Sequence, residues 1–316
     1  MSSPYFVIRE KCPSCNSKEI TQIYQCPLDD VLIKKYLESY YSPQWKDGFK
    51  YLAGASYVLC ECGECRLIFQ KEIPGDKLRE ILYEDWIDQK TVLEWHAKAD
   101  NLDFYSSHAS EIMQVIAVLK RPNRELKFFD YGMGWGTWAL LAKAFGCHSY
   151  GLEISRTRIN YAKSLGIEAI LWDELPQYKF DFINAEQIFE HIPKPLDELI
   201  NLRKSLGPNG ILKISVPTAR DIYRRIRVMD WQAPNNSRNS LNPVSPREHI
   251  NFYRRQSIIK MAEIAKLKEI FIPLRLQYQY LTSWKGARRI IKNIYPPLAR
   301  NVFKNRNYLF FSNGRE

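Results

Sequence analysis

The sequence predicts an α/β fold, with a Rossmann-like, mostly parallel sheet ending in an antiparallel last strand and a small N-terminal module built on paired cysteines. Three observations predict it. Residues 126–316 alternate short apolar runs with helical patterns, as parallel α/β sheets do. One of those runs, Phe128-Phe129-Asp130-Tyr131, leads straight into a glycine turn, Gly132-Met133-Gly134-Trp135-Gly136. Six of the seven cysteines lie in the first 65 residues.

Three regions follow in chain order. Residues 1–70 form the cysteine-rich module. Residues 71–125 read as a helical connector, with apolar spacing at Leu78, Ile81 and Leu82 and again at Ile112, Val115, Ile116 and Leu119. Pro122 and Asn123 end the second helix. Residues 126–316 form the sheet domain, with strands expected at 126–131, 149–153, 169–172, 180–185 and 210–216. The runs 269–276 and 308–311 suit a final antiparallel pair. Residues 231–247, rich in Asn, Pro and Ser, read as a long surface loop.

Composition narrows the function classes. Apolar residues make up 45% of the 316, enough for a full core, and the charged fraction is an ordinary 26%. The chain has no 18-residue apolar run, and its first 20 residues carry charges at Arg9, Glu10, Lys11, Lys18 and Glu19. A cytoplasmic protein is expected. Net charge is +11, so anionic partners are attracted: a small anionic substrate, nucleic acid or an acidic membrane surface.

Cys12-Pro-Ser-Cys15 and Cys62-Gly-Glu-Cys65 are two C-x2-C pairs. Four thiolates in two such pairs suit tetrahedral zinc in a closed, structural site. Cys26 and Cys60 compete for the role, Cys60 at a worse spacing than Cys62. The alternative is a set of buried free thiols.

The glycine turn carries the strongest functional signal. Glycines let a backbone turn tightly and approach a ligand with no Cβ in the way. Here the spacing is G-x-G-x-G, with Thr137 where a dinucleotide fingerprint has its third glycine, and Asp130 sits two residues before the first glycine. A pyrophosphate has no use for that carboxylate, whereas a cofactor with a cationic amino-acid tail does. Glu153 ends the next strand and is placed to accept from ribose hydroxyls.

On these residues the chain resembles the class I S-adenosylmethionine-dependent methyltransferases. Asp130–Gly136 looks like their first motif, and Glu153 like their ribose-binding acid. Trp172-Asp173-Glu174-Leu175-Pro176 resembles the segment whose acid meets the adenine amino group, a role that falls to Asp173. The segment Glu186-Gln187-Ile188-Phe189-Glu190-His191-Ile192-Pro193 looks like the family's exit from its fourth strand. Leu206-Gly207-Pro208-Asn209-Gly210 resembles its loop before strand five. The resemblance implies a methyltransferase with a cofactor set of Asp130, Gly132, Gly134, Gly136, Glu153, Ile154, Trp172, Asp173 and Glu186. Met133 and Trp135 stand where smaller residues are commoner in the family. A narrower resemblance joins Cys62–Phe69 and Pro246-Arg247-Glu248-His249-Ile250-Asn251-Phe252-Tyr253 to bacterial methyltransferases of sugar and secondary-metabolite biosynthesis. It implies a sugar, nucleotide-sugar or related precursor as acceptor.

Methyl transfer is mainly a matter of positioning, with a base wherever the nucleophile carries a proton. His191 is the candidate base and Glu190 its orienter, unless the pair merely caps a helix. His249 and Tyr253, just after the 231–247 loop, are candidates for the same cleft. His96, Tyr105 and His108 are expected on helical segments that could cover the cofactor, and His148 at the start of a strand. The basic stretch 284–306 alternates Trp284, Ile290, Ile291 and Ile294 with Lys285, Arg288, Arg289 and Lys292. It suits an anionic membrane, a nucleic acid or a solvated insert between the last two strands. An RNA methyltransferase and a non-catalytic scaffold of the same fold remain alternatives to a small-molecule enzyme.

Overall fold

The computed structural model describes residues 3–42, 44–45, 48–88, 90–94, 101–219, 221–234, 237–246, 248–281, 287–304 and 306–313, with the side chains of 287–293 outside the description. His96, Arg247, Trp284 and Lys285, and the side chains of Arg288, Arg289, Ile290, Ile291 and Lys292, therefore lie outside the described residues. Thirteen described strands follow in chain order: β1 (Phe6–Ile8), β2 (Ile20–Pro27), β3 (Ser56–Cys62), β4 (Ile68–Gln70), β5 (Glu72–Pro74), β6 (Lys127–Tyr131), β7 (His148–Leu152), β8 (Glu168–Ala169), β9 (Phe180–Glu186), β10 (Leu206–Ser215), β11 (Asn251–Phe252), β12 (Leu267–Ile270) and β13 (Tyr308–Asn313). The chain divides into two compact units. One comprises residues 1–92, 189–196 and 217–261, and the other residues 93–188, 197–216 and 262–316.

The second unit holds a seven-stranded sheet in the order β12-β13-β10-β9-β6-β7-β8. Strands β10, β9, β6, β7 and β8 pair in parallel, and β13 runs antiparallel to both β10 and β12. The parallel strands are apolar in runs rather than in alternation, because helices cover both faces of such a sheet. Phe128 packs against Trp138 and Phe182 on one face, while Phe129 stacks on Phe180 at 4.6 Å on the other. Strand order reverses at β6, which brings the glycine turn to a carboxyl-end switch point of the kind where such sheets bind ligands.

Two expected elements differ from the structure. The run 269–276 is not one strand: β12 stops at Ile270, and Pro273 opens a helix at Leu274–Gln279. The strand expected at 169–172 shrinks to β8, because Leu171–Gln177 turns back on itself, with the Leu171 amide donating to the Glu174 carboxylate at 2.7 Å.

The first unit is built on the antiparallel sheet β11-β4-β3-β2, with β1 paired to β5 beside it. Its core joins Ile33, Leu37, Tyr57, Leu59 and Ile68 to Trp231, Leu241 and Val244. Among its described residues, the 231–247 segment is therefore not wholly a surface loop. Trp231, Leu241 and Val244 are each at most 9% exposed, and the Tyr57 hydroxyl donates to the Val244 carbonyl. Arg9, buried as well, donates to the Gln70 and Ile250 carbonyls at 2.9 and 2.8 Å and to Asn251 Oδ1 at 2.8 Å. It fastens the N-terminal segment to the β4–β11 pair.

Candidate functional site

The glycine turn in the second unit is shaped by three left-handed residues, Gly132, Gly134 and Gly136 (φ +78°, +54° and +80°). They serve different ends. A Cβ on Gly132 would lie 2.8 Å from Ile188 Cδ1, and one on Gly136 would lie 3.1 Å from Ala162 Cβ, so these two allow close packing. A Cβ on Gly134 would meet nothing within 4 Å. Its backbone is open to a ligand, as a cofactor-cradling loop requires. Met133 packs back on β7, where a Cβ on Gly151 would collide with its sulfur.

Glu153, at the end of β7, gathers the turn. Its Oε2 accepts from the Gly134 amide at 3.0 Å, and Oε1 accepts from the Ile154 and Ser155 amides at 2.8 and 3.0 Å. Arg158 stands 3.9 Å away. The carboxylate thus sits against the Gly134 backbone, with part of its accepting capacity remaining for hydroxyl groups. Asp130 lies beneath, 4% exposed, accepting from Asn184 Nδ2 at 2.8 Å. Burial pushes its pKa up to about 7 against the opposing pull of Asn184 and Lys213. Ile154 and Trp172 are exposed enough to line a ligand, and Asp173 is exposed beside Trp172.

Glu186, at the end of β9, belongs to a buried network that the sequence did not announce. Lys213 on β10 sits 2.8 Å from Glu186 and 2.8 Å from Glu111, and His108 lies 3.9 Å from Glu186. Glu111 also accepts from Trp138 Nε1 at 3.3 Å and from the Tyr308 hydroxyl. Burial opposes the Lys213 charge, but the two carboxylates outweigh it and hold the ammonium above its ordinary pKa. Burial lowers that of His108. Lys213 hides inside an apolar strand, so no local pattern marks it.

In the first unit, Glu190 and His191 lie on a 3-10 turn, Phe189–His191. Asn251 Nδ2 donates to the Phe189 and Ile192 carbonyls at 3.0 and 2.7 Å, and the Ile250 amide donates to the Glu190 carbonyl at 2.8 Å. The turn is therefore clamped at both ends. His191 Nδ1 lies 3.1 Å from the Glu248 carbonyl, which can only accept, so Nδ1 carries the hydrogen and Nε2 is the basic nitrogen of the neutral ring. The Tyr83 hydroxyl lies 3.4 Å from the same Nδ1. The His249 ring is edge-on to His191 at 4.7 Å. Glu190 and His249 line a cavity of about 160 Å³ together with Thr218, Asp221, Arg225 and Asn251. Tyr253 does not share this cavity. It is 1% exposed, its hydroxyl lies 3.5 Å from the Phe189 carbonyl, and burial drives its pKa far up. It packs in the core of this unit rather than lining that cleft.

The four predicted ligand cysteines converge in the first unit, all Sγ atoms within 4.8 Å of one another. Cys12–Cys65 and Cys15–Cys62 are both 3.5 Å apart, close to the tetrahedral edge that metal–sulfur bonds of roughly 2.3 Å imply. The two segments repeat one geometry. Asn16 and Arg66, each following a second cysteine, are left-handed at φ +60°. Their amides donate to the Cys12 and Cys62 carbonyls, and the amides of Cys12 and Cys62 donate to the Ser17 and Leu67 carbonyls. None of the seven cysteines is in a disulfide, and Cys26 and Cys60 stand outside the four. The hydrogen bond from Cys65 pulls Cys12 down to about 6, while burial pushes Cys15 up to about 12.

A family model described as a methyltransferase domain matches residues 105–268. The chain belongs to this methyltransferase family. Its sheet and glycine turn are those of the class I S-adenosylmethionine-dependent methyltransferases. No curated protein matches the sequence. Among solved structures, the chain is similar to the plantazolicin methyltransferase BpumL in complex with a pentazolic desmethylPZN analogue and SAH: 13% identity, 75% of this chain and 95% of the other, TM-score 0.50. It is also similar to a TehB-like SAM-dependent methyltransferase from Corynebacterium glutamicum (14% identity, 72% and 97%, TM-score 0.41) and to the [4+2]-cyclase SpnF (14%, 60% and 76%, TM-score 0.38). At such identities the likeness is one of fold.

Proposed function

We propose that this methyltransferase moves a methyl group from S-adenosylmethionine to a small polar acceptor, a sugar, nucleotide-sugar or related metabolite precursor. The observation that carries the acceptor class is the cavity of about 160 Å³, which has room for one sugar-sized group and offers Glu190, Asp221, Arg225 and His249 as polar partners. The open backbone face at Gly134 and the ring of amides on Glu153 fit the cofactor. Bound S-adenosylmethionine supplies an electrophilic methyl on a sulfonium. Glu153 and the Gly134 backbone would hold its ribose, Asp130 its amino-acid end, and Trp172 and Asp173 its adenine.

The remaining chemistry belongs to side chains. His191, with Nδ1–H held by the Glu248 carbonyl, offers Nε2 as proton acceptor, and His249 stands beside it. Arg225 favours an anionic acceptor such as a diphosphate-linked sugar. In the cysteine module we propose a structural zinc ion.

Transfer of labelled methyl to an extract of nucleotide sugars and small metabolites, run beside total RNA, tests the reading. Label in the small-molecule pool is expected. Label in RNA alone would overturn the acceptor class. Cofactor binding with no labelled product in either pool would make the fold a scaffold.

A further inference from the structure

The helix Ala287–Asn301 ends in an exposed patch that methyl transfer does not use. The Val302 and Phe303 amides both donate to the Leu298 carbonyl, and Lys304 (φ +48°) turns the chain back toward β13. This turn leaves Val302 and Phe303 57% and 58% exposed at the helix end. Phe303 stacks on Tyr295 at 6.4 Å, and Phe271, just after β12, is exposed as well. Cations sit among these groups. Lys304 Nζ lies 5.1 Å over the Phe271 ring, and the Arg306 guanidinium lies 5.8 Å over that of Tyr295. The platform is fixed from below: Asn301 Nδ2 donates to the carbonyl of buried Ile272 at 3.0 Å, and the Tyr278 hydroxyl to that of Ile294 at 3.2 Å.

We infer that this patch docks the protein on an anionic lipid bilayer. Two arguments choose that occupant. Lys304 and Arg306 stand over the exposed rings of Phe271 and Tyr295, so the described surface complements anionic headgroups. The exposed groups between the cations are aliphatic and aromatic, and such side chains gain by entering the headgroup–acyl boundary. A polynucleotide would reward the charges but not Val302. A stable dimer needs roughly 1,200 Å² or more of buried surface, beyond what these few side chains present. The inference does not depend on the identity of the acceptor.

The test is cosedimentation of the 316-residue chain with phosphatidylcholine vesicles and with vesicles containing phosphatidylglycerol. Binding is expected on the anionic vesicles, weakened by salt. Phe303→Asp should weaken it roughly tenfold or more. Lys304→Gln and Arg306→Gln should each weaken it roughly fivefold. Unchanged S-adenosylhomocysteine binding by the variants would show that they fold. The inference fails if anionic vesicles do not sediment the protein, or if sedimentation ignores all three substitutions. Binding of RNA without vesicles would assign the patch to polynucleotide. Self-association abolished by Phe303→Asp, with vesicles ignored, would assign it to a second copy.

Discussion

Lys213 Nζ stands 2.8 Å from Glu186 Oε2, its side chain entirely out of solvent, with Glu111 closing the opposite side at the same distance. Removing one member of such a group leaves a buried charge without its partner. Lys213→Met should therefore destabilise the fold by roughly 3–5 kcal/mol, measured by urea unfolding. Adding Glu111→Gln should recover part of the loss. A single-variant loss below about 1 kcal/mol would show that the network carries little of the stability.

Asp130 makes stability depend on pH. Burial raises its folded-state pKa to about 7 from an ordinary 3.8, so the folded protein binds a proton that the unfolded chain has released. The contribution is fully present below about pH 4 and disappears as pH rises through the folded-state value. The apo protein should lose up to about 4 kcal/mol over that window, and Asp130→Asn should flatten the profile. If Asp130 receives the cofactor's ammonium, S-adenosylhomocysteine should bind more tightly as pH rises from 5 to 7. Calorimetry that shows no such gain would separate Asp130 from that role.

Glu153→Ala removes the acceptor of three backbone amides and the proposed ribose contact. Cofactor affinity should fall by about 1.5–3 kcal/mol. Glu153→Gln should restore less than half of it, because an amide offers one accepting oxygen where the carboxylate offers two. Equal affinity in wild type and Glu153→Ala would place the ribose elsewhere.

His191→Ala and His249→Ala divide the labour in the first unit. Loss of a general base lowers turnover by about 10²–10⁴ and leaves S-adenosylhomocysteine binding alone. The residue whose removal lowers kcat by this much is the base; the other should mainly raise KM. Near-normal turnover in both variants would leave the acceptor proton without a protein base.

Metal analysis of the purified chain should find one zinc per molecule. A strong chelator, or Cys15→Ser, should abolish the near-ultraviolet circular dichroism of the Tyr57, Trp231 and Trp45 cluster, because metal binding and folding are one equilibrium in such modules. Metal-free protein with that spectrum intact would make the four cysteines a packed set of thiols.

What was legible in the sequence was local. Asp130 and its glycines lie within seven residues, and each cysteine pair within four, so spacing alone announces them. Lys213 could not be read this way: its partner Glu111 lies about 100 residues away, and strand β10 looks uniformly apolar around it. Arg9 was invisible for the same reason, its acceptors at Ile250 and Asn251 being set by topology. The 231–247 segment misled because Asn, Pro and Ser dominate it. Trp231, Leu241 and Val244 are spaced without period, and only the folded unit shows that they are core. Tyr253 looked available beside His249, yet it is 1% exposed with its hydroxyl toward the Phe189 carbonyl, outside the cavity that His249 lines.

The β4–β11 pairing imposes an order on synthesis. Phe69 waits for Asn251, which leaves the ribosome about 180 residues, or roughly 10–40 s, later. During that time the edge of β4 is unpaired and Arg9 has only part of its acceptor set. A nascent chain in this interval exposes an unpaired strand edge, and one whose cysteines have already gathered would hold that edge ready for the returning strand.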